Sequence, residues 1–339
     1  MSLAPGEFAP AGVFLNSATL GLAPLRSVVA MRAFEDSRQA GTVNAVEIDT
    51  YVERSRTAFA SLLGRDPSEV ATGSQASQFV GLVAASLPAR SVVLAAEEDF
   101  TSVLFPFLRA DLDVRLVPLD QLIDSVSEEV DLVAVSAVQS ADGRVIDLRV
   151  LGEAAARAGA LTLVDVTQAA GWLPLTGLSA DYVVGSGYKW LLGPRGTCFL
   201  AVSPTAPALP ELAAGWYAGE SRWDSIYGAP LRLATDARRY DLSPAWGCWV
   251  GHAPALELLL EIRIDRIHAH DVALANAFRD GMGLTPSDSA IVSVEAPADV
   301  GARLADAGMS AAVRAGRLRL SFHLYNSPAD VEAALRVLA

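Results

Sequence analysis

Short apolar segments alternate with amphipathic helical patterns through the middle of this 339-residue chain, and this alternation constrains its fold most strongly. Strands are predicted at residues 92–96, 114–118, 131–136, 161–166, 182–185 and 198–202, the first three as buried strands, with helices at 76–87 and 148–158. Buried strands that alternate with helices favour a mainly parallel sheet covered on both faces. Because ligands bind beyond the carboxyl ends of the strands in such sheets, we expect the chemistry in the loops that follow them.

The C-terminal part of the chain has a different pattern. One long helix is predicted from about 246 to 282, followed by a strand at 290–294, a helix at 299–307, a strand at 318–322 and a helix at 328–338. This succession predicts a smaller α+β domain that starts near Asp241. The preceding residues, 204–239, are rich in Pro, Gly and Trp and are predicted to form a long irregular connection.

The composition limits the partners that the chain can have. With 39 acidic and 26 basic residues the formal net charge is −13, which disfavours nucleic acid and anionic membranes as partners. The N-terminus lacks the basic region of a signal peptide, and no apolar stretch of spanning length is free of charges, Pro or Gly. Cys198 and Cys248 lie in apolar surroundings and fit no metal-binding spacing, so both are expected to be buried, reduced thiols without a metal. These features predict a cytoplasmic protein.

Two of the predicted strands end in residues that carry chemistry. One delivers Asp165 at its carboxyl end, with Gln168 just beyond it. The next ends in Gly185-Ser186-Gly187, followed by Lys189 between two aromatic residues and by the turn Gly193-Pro194-Arg195-Gly196. Lysines are normally solvated, and desolvation lowers the pKa of an amine, which is what a Schiff-base lysine needs.

The combination of Asp-x-x-Gln, Ser-x-x-Lys and Gly-Pro-x-Gly resembles the class V aminotransferase family of fold-type-I pyridoxal phosphate enzymes. That family includes cysteine desulfurases, kynureninase-like lyases and isopenicillin N epimerase-like proteins. The likeness runs over nearly the whole chain, from Phe14-Leu15-Asn16-Ser17-Ala18 to Tyr325-Asn326-Ser327. It implies an α/β fold in which a large domain holds a mainly parallel, seven-stranded-type sheet between helices, with a smaller α+β C-terminal domain.

The resemblance also implies how the chain is divided and assembled. Residues 1–30 are expected to form an N-terminal segment that lines the active site, 31–240 the large domain that binds pyridoxal 5'-phosphate, and 241–339 the small C-terminal domain. The expected substrate is a small molecule, an amino acid, with a keto acid as a second partner in the case of transamination. The expected assembly is a homodimer with shared active sites.

Each residue of the central motif takes a role from the resemblance. Lys189 would form the Schiff base with the cofactor and then act as the proton shuttle. Asp165 would pair with the pyridine nitrogen and keep it protonated, while Gln168 would donate a hydrogen bond to the phenolic oxygen of the ring. Ser186 would bind the phosphate. Tyr188 stands where many relatives have a histidine, and a phenol can also donate to phosphate or shape the pocket.

Further cofactor contacts are expected outside the central motif. Ser74 and Gln75 precede a predicted helix, so its free N–H groups and the Ser74 hydroxyl would bind the phosphate; an ordinary helix cap is the alternative. Phe100 would stack on the cofactor ring, or else be a core phenylalanine. Ser243 would reach the phosphate in the neighbouring subunit, and it can also serve as a helix N-cap before Pro244.

The substrate's α-carboxylate is expected at Arg319, because a guanidinium fork suits a carboxylate. Asn16 and Ala18 would line the same pocket. The alternative for Arg319 is an arginine on a surface strand. The four histidines form no metal-binding motif, so a solvated or capping role is expected for them, although His323 could approach the active site.

The absence of a cysteine from one segment narrows the choice among the reactions of the family. Cysteine desulfurases need a nucleophilic cysteine in a mobile loop shortly before the Arg-x-Ser segment, and residues 294–316 contain none. We therefore do not expect a desulfurase. The resemblance implies an aminotransferase, with epimerisation and C–S or C–C lysis as alternatives, and all three begin with proton abstraction from Cα by Lys189. A non-catalytic binding or regulatory member of the fold is an alternative of a different class. The aromatic stretch 215–227 either walls the side-chain pocket or is a packed connection.

Overall fold

The computed structural model describes residues 1–338 and consists of strands and helices that alternate over most of the chain. The strands are β1 (Val13–Phe14), β2 (Val70–Gly73), β3 (Val92–Ala96), β4 (Asp113–Val117), β5 (Leu132–Ser136), β6 (Leu161–Asp165), β7 (Tyr182–Ser186), β8 (Cys198–Val202), β9 (Ile291–Val294), β10 (Met309–Ser310), β11 (Ala312–Arg314) and β12 (Arg317–Ser321). The helices are α1 (Leu25–Ala40), α2 (Ala45–Leu63), α3 (Ala76–Ser86), α4 (Thr101–Arg109), α5 (Leu148–Ala158), α6 (Trp246–Ile262), α7 (Ile264–Gly281), α8 (Val300–Asp306) and α9 (Pro328–Leu338).

The large sheet has seven strands in the order β2-β8-β7-β6-β5-β3-β4. Strands β4, β3, β5, β6 and β7 pair in parallel, whereas β8 runs antiparallel to both of its neighbours. The connection between β7 and β8 contains no helix, so it can only turn the chain back on itself, because a parallel crossover usually needs one. The prediction of a mainly parallel sheet is confirmed.

Alternating residues of the central strands fill two separate cores. Val164, Val183 and Phe199 point to the face covered by α2 and α6, while Leu163 and Val184 point to the face covered by α3 and α4. This period of two is what a sheet buried on both faces requires. The prediction of a buried strand at 114–118 is wrong, because β4 has one neighbour and its side chains are largely exposed.

The single long helix predicted from 246 to 282 is also wrong. It is two helices, α6 and α7, which meet at Arg263 with a φ of 78°, a backbone conformation that interrupts an α-helix. Helix α6 packs against α1 and α2 on the large sheet. Helices α7 and α9 pack together beside the three-stranded antiparallel sheet β11-β12-β9. The domain boundary at residue 241 stays a prediction.

The N-terminal segment passes between the Lys189 loop and the C-terminal sheet. Strand β1 pairs in parallel with β10, and Asn16 forms a β-bridge with Ser321. Gly21 donates its N–H to the Tyr188 carbonyl at 3.0 Å, and a Cβ at this position would come within 2.0 Å of the Lys189 carbonyl oxygen. The close approach therefore requires glycine here.

Across residues 1–338, no helix combines the length and the apolar character that crossing a bilayer demands.

A buried ion pair joins α2 to β2 and to the chain that follows the irregular connection. Arg56 Nη2 lies 2.6 Å from Asp241 Oδ2, and both side chains are almost fully buried. Asp241 Oδ1 also accepts the N–H of Thr72 at 2.7 Å, and Arg56 Nη1 donates to the Val70 carbonyl. One carboxylate thus satisfies a strand backbone and a helix side chain at once, next to the predicted phosphate loop.

We expect Asp241→Asn to lower the free energy of unfolding by about 3 kcal/mol, because it leaves a buried guanidinium without its main counter-charge. The half-exposed Glu53, 3.2 Å from Arg56, keeps the loss from being larger. Urea unfolding measures the change. Glu35→Gln removes the exposed pair with Arg38 and should cost less than about 1 kcal/mol. Equal losses in the two variants would contradict the prediction.

Candidate active site

One cavity of about 350 Å³ lies at the carboxyl ends of β2, β5, β6 and β7. The predicted site residues that line it are Ser74, Gln75, Phe100, Asp165, Gln168, Ser186, Tyr188 and Lys189. These residues come from separate strand ends and meet because parallel strands present their carboxyl ends at one edge of the sheet. The structure brings them together, while the role of each stays a prediction.

Lys189 is buried inside this cavity, with 6% of its surface exposed. Burial lowers the pKa of its amine from 10.5 to about 8; Asp165 opposes this shift, and Arg319 and Arg195 add to it. A substantial fraction of the amine is therefore neutral near pH 8, which a nucleophile requires. Lys189 is also the only lysine of the chain, beside 25 arginines. The number of lysines can be read directly from the sequence, although the predictions above did not use it.

Asp165 offers the cavity a carboxylate oxygen that nothing else uses. Its Oδ1 accepts the N–H of Thr167 at 2.7 Å, and no hydrogen bond from residues 1–338 reaches its Oδ2. Burial raises the pKa of this carboxyl, with the Thr167 hydrogen bonds opposing the shift. A buried carboxylate of this kind is stabilised by a cation or a charged N–H donor.

The opposite end of the cavity suits an anion. Helix α3 begins at Ala76, and no side chain caps its first turn. Its N–H groups therefore remain available, and the helix dipole favours a negative charge there. Arg195, which the sequence analysis noted in a turn but did not assign to the site, also lines the cavity and holds its guanidinium 4.4 Å from the Tyr188 ring centroid. It forms no ion pair within residues 1–338.

The amide of Gln168 is already fully engaged. Its Nε2 donates to the Ala18 carbonyl and to Ser140 Oγ, both at 2.9 Å, and its Oε1 accepts the indole N–H of Trp190 at 2.7 Å. The predicted hydrogen bond to a phenolic oxygen would need one of these donors to be released. Ala18 is thereby tied to the site through its backbone.

Arg319 is buried, so the alternative of a surface arginine is wrong. It donates through Nη1 to the carbonyl and hydroxyl of Ser140 and through Nη2 to Thr19 Oγ1 at 2.7 Å, while Nε has no partner. Burial and the nearby Arg314 lower its pKa to about 10. No carboxylate of residues 1–338 pairs with it, and a buried cation without a counter-ion favours binding of an anion.

Ala18 and Arg319 do not line the cavity themselves. They contact it through hydrogen bonds to Gln168 and Ser140, which do line it.

Three further predicted features also lie outside the lining of this cavity. Asn16 does not line it, and its side-chain oxygen is buried without a partner. Ser243 is exposed and contributes nothing to the cavity of its own chain. Residues 215–227 do not line it either; Tyr217 is buried and donates to Asp49 Oδ1 at 3.1 Å, as a packed connection would.

The expectation of solvated or capping histidines is wrong for His252 and His323, which are fully buried. The His252 ring fills the space beneath the Lys189 loop, where a Cβ at Gly187 or Gly193 would approach it to 2.3 or 2.4 Å. The glycines on both sides of Lys189 therefore make room for this ring. His252 carries no charge at neutral pH, because burial lowers its pKa to about 3.

Sequence reasoning missed several residues that line the cavity: Ser102, Ser136, Ser140, Thr167, Arg195 and Gly196. Ser136 is the last residue of β5, and Ser140 and Thr167 follow β5 and β6. The rule that ligands bind beyond the carboxyl ends of parallel strands could have identified these three from the predicted strands.

We expect the acylation rate of Lys189 in the cofactor-free protein to rise with pH through about 8 and then level off, because only the neutral amine reacts. As the sole lysine, it can be followed by peptide mass spectrometry without interference from other side-chain amines. The same protein unfolded in urea is the control and should titrate near the ordinary value of 10.5. Coincident folded and unfolded profiles would contradict the prediction.

Comparison with known proteins gives a family match over most of the chain. The family model described as aminotransferase class-V matches residues 36–302. An uncharacterized aminotransferase, YcbU of Bacillus subtilis (strain 168), is 29% identical over 335 residues, which cover 91% of this chain and 89% of that protein. An isopenicillin N epimerase of Streptomyces clavuligerus is 29% identical over 217 residues, which cover 58% of this chain and 53% of that protein.

A solved structure supports the fold. The apo structure of a cysteine desulfurase from Thermococcus onnurineus NA1 superposes with a TM-score of 0.83 at 21% identity, covering 96% of this chain and 93% of that one. At this identity the likeness establishes the fold, a large domain with a mainly parallel sheet and a smaller antiparallel sheet.

Proposed function

The chain belongs to the aminotransferase class-V family, and on that basis we propose that Lys189 is the amine through which it acts on amino acids, as an aminotransferase. The protein is an enzyme that depends on pyridoxal phosphate. The observation that carries the proposal is the sole lysine of the chain, buried, with a lowered pKa, in the cavity that also holds Asp165.

The residues of the cavity fit this cofactor. When bound, pyridoxal phosphate supplies an aldehyde that condenses with amines and a ring that withdraws electrons from the substrate's Cα. The unused oxygen of Asp165 suits the ring N–H, and the uncapped start of α3 with Ser74, Gln75 and Ser186 suits the phosphate. Phe100 lies beside the amine, 5.3 Å from its ring centroid to Lys189 Nζ, as a stacking partner would.

The chain's own groups divide the work between proton transfer and substrate binding. The amine of Lys189, neutral in part near pH 8, takes the proton from the substrate's Cα and returns it elsewhere. Arg319 orients the substrate by its α-carboxylate, since its Nε is free and no acid neutralises it. Burial of both groups excludes water, which strengthens each charge interaction.

We expect borohydride treatment of the protein with pyridoxal phosphate to attach the cofactor to Lys189, since no other lysine exists. Lys189→Ala should lose the visible absorption band and slow the exchange of the substrate's α-proton with solvent by about 10²-fold or more. Arg38→Ala, at an exposed position, is the matched control and should keep both properties. Absence of the band in the wild-type protein would refute the proposal. The same result would favour a non-catalytic binding role.

The products then separate the members of the family. Mass analysis should find a keto acid for transamination, a racemised amino acid for epimerisation and a cleaved side chain for lysis. We propose against desulfuration, because the segment between β9 and β12 is short, carries α8, β10 and β11, and lacks cysteine. Substantial sulfide release from cysteine by the purified protein would overturn this.

We also propose a homodimer in which Ser243 approaches the neighbouring active site. Its exposure in the single chain leaves it free to do so, and the preceding connection exposes Trp223, Tyr227 and Leu231. Exposed apolar side chains grouped in one segment are typical of an interface.

We expect sedimentation to give a mass twice the 35.6 kDa of the chain. The double variant Tyr227→Glu, Leu231→Glu should shift the protein towards the single-chain mass, because a charge at each position would be desolvated in the interface. Val313→Glu, at an exposed apolar residue of β11, is the control and should remain dimeric. A wild-type protein that sediments as one chain would contradict the proposal.

A cytoplasmic location belongs to the same proposal. Cys198 and Cys248 are both free thiols, as expected in a reducing compartment. Cell fractionation of the source organism would test the location directly.

A further inference from the structure

The loop that carries Lys189 has a hydrogen-bond donor on each carbonyl from residue 187 to residue 190. The donors are Gly193 N for Gly187, Gly21 N for Tyr188, Leu192 N for Lys189, and His323 Nε2 for Trp190. Only the last of these is a side chain. His323 thus determines where the residue directly after Lys189 lies, at an Nε2–O distance of 3.0 Å.

His323 is held in turn by a buried carboxylate. Its Nδ1 lies 2.9 Å from Oδ2 of Asp271 on α7, and neither side chain has any exposed surface. The second oxygen of Asp271 lies 2.9 Å from Nδ1 of His270. The three side chains therefore form a polar network, in which a buried polar group left without a partner would be destabilising.

The contacts fix the proton count of this pair. The Trp190 oxygen can only accept, so His323 Nε2 must carry a hydrogen. The contact between Nδ1 and Asp271 then needs a second proton, carried by either partner, because two lone pairs would repel at 2.9 Å. The pair is neutral overall in both forms, which makes its complete burial feasible.

The pair joins the two halves of the site. His323 follows β12, the strand that carries Arg319, with only Phe322 between them. On the other side, Trp190 donates its indole N–H to Gln168, which lines the cavity. A displacement of His323 would therefore move the Lys189 loop relative to strand β12, which carries Arg319.

We propose that Asp271 and His323 are positioning residues, which hold the Lys189 loop at a fixed distance from strand β12 and its Arg319. The proposal rests on the proposed function for its purpose, since a fixed separation serves a substrate bound by both groups. An apolar pair of similar volume would fill the same space without the desolvation cost of two polar groups. Core packing alone therefore does not require a polar pair at these two positions.

Isosteric pairs of variants test the hydrogen bonds apart from the packing. His323→Gln can place an amide N–H on the Trp190 carbonyl, whereas His323→Met has a similar shape and no donor. Asp271→Asn can donate to His323 Nδ1 and leave Nε2–H on Trp190, whereas Asp271→Leu cannot. Circular dichroism and thermal unfolding establish that each variant is folded before it is compared.

Two measurements on the cofactor-free protein report on the loop without requiring turnover. One is the pH profile of Lys189 acylation, and the other is the dissociation constant for pyridoxal phosphate. We expect Gln and Asn to retain the wild-type profile and affinity within about twofold. We expect Met and Leu to weaken cofactor binding by about tenfold or more and to move the lysine profile towards its ordinary pKa.

A third measurement reports on the link to Arg319. The dissociation constant of an unreactive amino acid analogue on the holoenzyme should rise by about tenfold in the Met variant and stay unchanged in the Gln variant. Wild-type behaviour of the Met variant, or equal losses in Gln and Met, would overturn the proposal. If His323→Met does not fold, the Asn and Leu pair at position 271 decides.

Failure of this proposal is distinguishable from failure of the proposed function. A wild-type protein that never binds pyridoxal phosphate defeats the function, yet Lys189 acylation still compares the variants. A protein that binds the cofactor normally in all four variants, with an unchanged lysine profile, defeats the positioning proposal alone.

Discussion

The burial of one amine governs the architecture around it. Lys189 has little access to solvent, so its pKa falls to about 8. The loop that holds it reverses direction into the antiparallel strand β8, passes over the His252 ring and is bonded from the N-terminal segment and from His323. The surrounding helices and sheet thus exclude water from this amine and fix its position.

More cations than anions act on the Lys189 amine. Asp165 is the acid that acts on Lys189, whereas Arg195, Arg314 and Arg319 all act on it as cations. A dianionic phosphate and a substrate carboxylate would balance these charges. The cavity is therefore complementary to anions although the chain as a whole has a formal net charge of −13. Local arrangement rather than total charge determines what such a site attracts.

The sequence predicted the parts of the fold that local patterns determine. The central strands and the motif from Asp165 to Lys189 were predicted within a residue or so, because apolar runs and their polar ends lie close together in the chain. The exposure of β4 depends on its place at the edge of the sheet, and the break at Arg263 depends on backbone conformation. The burial of Arg319 and His323 depends on contacts with Thr19 and Trp190, which lie 300 and 133 residues earlier in the chain. The pattern of a single sequence does not show the edge position of a strand, a backbone break within a helical pattern or contacts between distant segments.

The contact between Asn16 and Ser321 has a consequence for synthesis. The segment around Asn16 can dock on this strand end only after Ser321 has been made, about 300 residues later. Contacts of such long range form late, because closing a long loop costs entropy that only the final contacts repay. On the ribosome the large sheet can assemble while Arg319 is still untranslated. The complete cluster of residues around Lys189 and Arg319 therefore forms only after β12 has been made.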